Sequence, residues 1–105
     1  NIEQDVEAIG ILEELLKIKK VHFGTTSREF TRTCKQLCEI CNILAVYYLK
    51  KEDINSALDL LKKSEELGEN NELGQAMTFN NMACYDRRIG KMRTALNFYS
   101  VPSPS

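Results

Sequence analysis

The sequence lacks any run that could cross a membrane: no stretch approaches the ~18 uninterrupted apolar residues that a span requires. It has almost no net charge, −1 at pH 7, with a pI near 5.9. A nucleic-acid binder carries a basic face and a basic pI, so that class loses ground. Histidine occurs once, at His22, beside an expected helix end; there an imidazole serves as a cation near the negative dipole end rather than as a catalyst. No Ser-His-Asp arrangement, glycine-rich phosphate loop or pair of inward carboxylates is present, so neither an enzyme nor a cofactor is expected. Both prolines stand at the very end, Pro102 and Pro104, in a stretch that cannot continue a helix. No segment alternates with period two over enough residues to make a strand. The start is not the basic, apolar, small-residue pattern of a signal peptide, and four cysteines without one point to a reducing compartment. A cytoplasmic location is therefore expected, and the first residue, Asn1, points to a processed or excised piece.

What is present is helical periodicity in a chain long enough for one domain. Ile2, Val6, Ile9, Leu12, Leu16 and Val21 recur near the helical period and predict a first helix, Ile2 to Val21. Gly24 is the expected left-handed cap after it. Thr26 and Glu29 have capping-box spacing at the start of a second helix. Phe30, Cys34, Leu37, Cys41, Leu44 and Tyr48 then step by four and three, while Ile40, Ile43, Val46, Tyr47 and Leu49 make the later half apolar nearly all round. Such a helix is covered on more than one side. Asp53 is the expected N-cap of a third helix and Gly68 its C′ residue. Leu73 to Arg88 predicts a fourth helix, Gly90 its stop, and Lys91 to Ser100 a short fifth, leaving 101–105 as a tail.

Two stretches share a pattern. Cys41, Leu44, Ala45, Tyr48, Ala57 and Leu61 reappear 38 residues later as Phe79, Met82, Ala83, Asp86, Ala95 and Tyr99. Small residues at Ala45 and Ala57, and again at Ala83 and Ala95, let two antiparallel helices approach closely. Large-x2-Leu-small-x2-Tyr on one helix and small-x3-large on the next resembles a tetratricopeptide repeat. The first copy is Cys38 to Asn71 and the second, partial copy is Ala76 to Ser100; 1–37 holds a first helix and the start of the second. Glu66-Leu67-Gly68, Leu73-Gly74-Gln75-Ala76 and Asn80-Asn81-Met82-Ala83 are similar to the long-linker repeats of kinesin light chain and spindle-orientation adaptors. Ile43 stands where that branch has a second asparagine, and Asp86 where a tyrosine is expected. The resemblance implies an all-α chain of about five antiparallel helices, stacked as hairpins in a short right-handed solenoid. It also implies that Asn80, Asn81 and Asn42 face a concave groove that holds the backbone of a peptide.

The expected function is a protein-interaction scaffold that binds a peptide or partner helix. Its groove should be lined by Asn42, Val46, Leu49, Asn80, Asn81, Cys84, Arg87 and Arg88. Arg87, Arg88, Lys91 and Arg93 read either as a solvated face or as a basic wall that selects acidic residues. Cys34-x3-Cys38-x2-Cys41 has the spacing of an iron–sulfur loop, but it falls mid-helix on one face, where cysteine packs as a small apolar residue; no metal is expected. The rival to the scaffold is a self-assembly segment that oligomerises through its truncated ends, with a homodimer through the C-terminal helices. Neither nucleic acid nor membrane is an expected partner.

Overall fold

The computed structural model describes residues 2–69 and 71–100, with side chains described up to Asn97. The expected tail at 101–105, and the second-copy side chain Tyr99, lie outside the described residues. Among those described there are four helices and no strand: α1 (Ile2–Phe23), α2 (Arg28–Lys50), α3 (Ile54–Leu67) and α4 (Glu72–Ser100).

The connections follow local chemistry. Gly24 takes φ 80° and its N–H donates to Lys20 O at 3.0 Å, closing α1 in the left-handed conformation that glycine adopts without strain. The cap of α2 is Ser27, not the expected Thr26: its hydroxyl accepts from the Phe30 N–H at 3.1 Å and donates to Gly24 O at 3.0 Å. Ser27 lies one residue nearer the first apolar contact and still reaches the N3 amide, which is what a cap needs. Asp53 caps α3 as expected, accepting from Ser56 N–H at 3.3 Å, and Glu52 before it turns the chain with φ 63°. Gly68 closes α3 with φ −87°, so left-handed freedom is not its use. A Cβ on it would lie 3.2 Å from Ser64 O, and one on Gly74 would lie 2.9 Å from Cys38 Sγ. These two glycines let the end of α3, the start of α4 and the middle of α2 come together.

α2 is the central element and packs against all three others. Its contact with α1 holds Ile9, Leu37, Cys41 and Leu44, with Leu12, Leu16, Ile40 and Tyr48 around them. On the α3 side Cys38, Ala45, Ala57 and Leu61 are fully buried. Removing Leu37, Leu44 and Leu61 from water contributes ~1.5–3 kcal/mol each. Ala45 and Ala57 carry no more than a methyl, as close antiparallel packing of α2 on α3 demands. The chain extends over 66 × 27 × 19 Å, and its radius of gyration, 17.2 Å, exceeds the ~13 Å of a compact domain of this length.

The second copy departs from expectation. α4 runs unbroken through Gly90, so there is no fifth helix among the described residues. Ala95 is exposed instead of packed inward, and Phe79, aligned with fully buried Cys41, is 76% exposed. The reason lies in the turn. Lys91 falls where Asp53 caps the first hairpin, and a lysine has no acceptor to offer an orphan helix amide. Asp86, replacing the expected tyrosine, is exposed and carries no burial cost.

Candidate functional site

α2 and α4 lie side by side in the same direction. Gly74 sits on Cys38, Thr78 and Asn81 bond Asn42, and Arg88 reaches Glu52 just past the end of α2. The seam is polar. Asn42 is 1% exposed and Thr78 2%. The Asn42 amide donates to Cys38 O and to Thr78 Oγ1, each at 3.0 Å, and its Oδ1 accepts from Asn81 Nδ2 at 2.9 Å. The Cys38 thiol donates to Ser64 O at 3.6 Å. Every polar end of Asn42 is thus satisfied without water, the condition for burying an amide cheaply.

Beyond the seam a cleft of ≈ 190 Å³ opens between the C-terminal half of α2 and the middle of α4. Val46, Leu49 and Cys84 form its apolar floor; Lys50, Arg87, Arg88 and Lys91 surround it. Arg87 donates to Cys84 Sγ at 3.1 Å. Arg88 lies 3.8 Å from Glu52, an exposed and weakly held pair, so one carboxylate faces four cations. On a chain of net charge −1, this is a local concentration of positive charge.

Five of the eight expected groove residues meet in this cleft: Val46, Leu49, Cys84, Arg87 and Arg88. Asn80 is exposed one turn before Cys84 on the same side of α4. Asn42 and Asn81 do not face a groove; they form the seam beneath it, because Thr78 supplies a partner that the repeat pattern did not point to. Leu49, expected as an exposed position, is only 4% exposed and serves as floor. Lys50 and Lys91 complete the rim; Lys91 stood in the expected basic wall, whereas Lys50 was absent from the expected groove. The available signal was spacing: Lys50 follows Val46 by one turn, as Lys91 follows Arg87. Arg93 does not line the cleft.

The cysteine helix is a packed face. Burial raises the thiol pKa of Cys34 and Cys38, and that of fully buried Cys41 to about 11, so the thiols stay protonated at neutral pH. Among the described residues no group of three His, Cys, Asp or Glu side chains converges as a metal site. No described helix is long and apolar enough to cross a membrane. His22 is exposed in the last turn of α1. Glu13 accepts a hydrogen bond from Lys63, which ties α1 to α3 across the top of Cys41 and raises the Lys63 pKa.

Comparison with family models, with curated proteins and with solved structures gives no match to this chain.

Proposed function

We propose that the chain is a tetratricopeptide-like interaction scaffold, working in a reducing, cytoplasmic setting, that holds an extended acidic peptide between α2 and α4. The observation that carries this reading is the apolar floor of Val46, Leu49 and Cys84 ringed by Lys50, Arg87, Arg88 and Lys91. An apolar side chain of the ligand would seat on the floor while flanking carboxylates meet the rim. Arginine forks bind carboxylates in a bidentate manner, and four cations in reach raise the association rate for an anionic ligand. Exposed Asn80, beside the cleft, offers both a donor and an acceptor to one peptide unit of an extended chain.

A peptide array probed with the whole chain tests this. Retained sequences should combine an apolar residue with neighbouring Asp or Glu, and retention should weaken as salt rises. The double charge reversal Arg87→Glu, Lys91→Glu should abolish that selection while leaving the circular dichroism spectrum unchanged. Binding indifferent to peptide charge would refute the proposal.

A second reading, self-assembly through the C-terminal helix, is favoured by a separate observation. Phe79 is 76% exposed, Met92 42% and Leu96 63%, all on the 29-residue helix α4.

A further inference from the structure

α2 flanks two grooves. The one it forms with α3 holds α4. The one it forms with α1 is open, a hollow of ≈ 370 Å³ lined by Ala8, Ile11, Leu12, Gln36, Glu39 and Ile40. Ile40 lies about 160° around α2 from Asn42, which bonds α4, so the two grooves face apart. The apolar surface continues over α1, where Ile11, Leu15 and Ile18 step by four and three; Ile11 is 60% exposed and Ile18 54%. Both banks are acidic. Glu39 stands on the α2 bank, and Glu7 and Glu14 stand beyond Ile11 on the α1 bank. Glu14 meets Lys17 at 3.2 Å, an exposed and therefore weak pair.

The end of α4 has the opposite character. Met82, Tyr85, Ile89, Met92 and Leu96 all lie within about 40° of buried Thr78 around the helix, so the face that packs at Thr78 continues along α4. Arg88 stands beside Glu52 in the α2–α3 turn. Met92 and Leu96 lie about 6 and 12 Å farther along the axis and are 42% and 63% exposed. Arg88 and Arg93 flank this stripe, one on each side. Charge divides along the chain in the same way. Residues 2–14 carry Glu3, Asp5, Glu7, Glu13 and Glu14 and no Lys or Arg, whereas residues 87–97 carry Arg87, Arg88, Lys91 and Arg93 and no acid.

We infer that the end of α4 docks, head to tail, in the α1–α2 groove of a second copy of the chain. This rests on the self-assembly reading and names the surface that α4 meets. Ile89, Met92 and Leu96 cover Ile11 and Ile40, and Arg88 and Arg93 each meet a carboxylate, because both banks supply one whichever way the helix runs. A two-fold pairing of the α4 ends would instead bring like charges together. Arg87 and Lys91 lie roughly 130–170° around α4 from the middle of the stripe, so the floor of the basic cleft stays open. A contact between two different surfaces leaves one of each free, so assembly grows with concentration.

Sedimentation equilibrium on the whole chain tests this with two variants at exposed positions, Ile11→Asp in the groove and Met92→Asp on α4. The average mass of the parent should rise with concentration and fall back as salt rises. Each variant alone should associate at least about tenfold more weakly, with an unchanged circular dichroism melt. An equimolar mixture of the two should form a 1:1 dimer and nothing larger, since one intact groove then meets one intact α4 end. A mixture that stays monomeric overturns the inference. Association lost in Met92→Asp but kept in Ile11→Asp overturns the groove and leaves self-assembly through α4 standing. A parent that is monomeric up to ~1 mM overturns both and leaves the groove to a different protein. Neither variant touches the cleft, so peptide retention is read separately on the array.

Discussion

Replacing Asn42 by alanine should destabilise the fold severely, although an asparagine on a helix is ordinarily a surface residue. The side chain is 1% exposed and joins α2 to α4 through Thr78 Oγ1 at 3.0 Å and Asn81 Nδ2 at 2.9 Å. Each neutral bond contributes ~0.5–1.5 kcal/mol net, and the Thr78 hydroxyl, itself on a side chain 2% exposed, loses the amide donor it accepts from. The removed amide also leaves a void beside Cys38. The sum is about 2–4 kcal/mol, which for a domain of this size lowers Tm by about 10 °C or more. Urea denaturation followed by circular dichroism measures it. Thr78→Val in the same background should add much less than it does alone, because the two share one bond. A melting temperature within ~2 °C of the parent for Asn42→Ala would refute the buried seam and return Asn42 to an open groove.

Other outcomes follow from the same contacts. Asn80→Ala should weaken retention of the array's peptides by ~0.5–3 kcal/mol with little change in Tm, since Asn80 is exposed beside the cleft; unchanged retention would remove it from the site. Gly74→Ala puts a Cβ 2.9 Å from the buried Cys38 Sγ and should cost ~1–3 kcal/mol, whereas Gly10→Ala, with nothing within 4 Å, should stabilise α1 by ~0.5–1 kcal/mol; thermal melts compare them. Ala57→Leu should overpack the α2–α3 contact by a similar ~1–3 kcal/mol, while Ala95→Leu on the exposed end of α4 should be mild at monomer concentrations. Stability should fall at alkaline pH. Cys41 is raised from the ordinary 9.0 to about 11, so the folded chain holds that proton more tightly than the unfolded chain. Its contribution, ~2–3 kcal/mol, is complete below pH ~9 and lost as pH rises towards 11; urea midpoints across that range check it.

The helices and their first hairpin are legible because their signals are local. Period-3.6 apolar stripes, Gly24, Asp53 and the Ala45–Ala57 pair each specify their surroundings within a few residues. The last three behave as read, and so does the α2 stripe through Leu37, Cys41 and Leu44. On α1, Val6 and Val21 of the expected stripe are exposed, because among the described helices only α2 packs beside α1. The second hairpin is misread for a specific reason: the Ala83–Ala95 spacing repeats, but the cap that would turn the chain does not, and a repeat pattern counts only the former. The asparagines fail in another way. Asn42 and Asn81 are polar on a helix, and nothing within either helix shows that Thr78, 36 residues after Asn42, and Asn81 together satisfy the Asn42 amide across the seam. The basic rim was half legible. Arg87 and Arg88 lie on the expected face, but Lys50, the last residue of α2, lines the cleft although no repeat position points to it.

The claim that α2 and α4 frame a binding cleft is tested most directly by nuclear magnetic resonance. The isotope-labelled chain would be titrated with the strongest acidic peptide from the array. The cleft predicts amide shift changes concentrated at Val46, Leu49, Lys50, Cys84, Arg87, Arg88 and Lys91, saturating with the peptide and diminishing with salt. Changes centred instead on α1, or on the Phe79 and Ala83 face of α4, would contradict it.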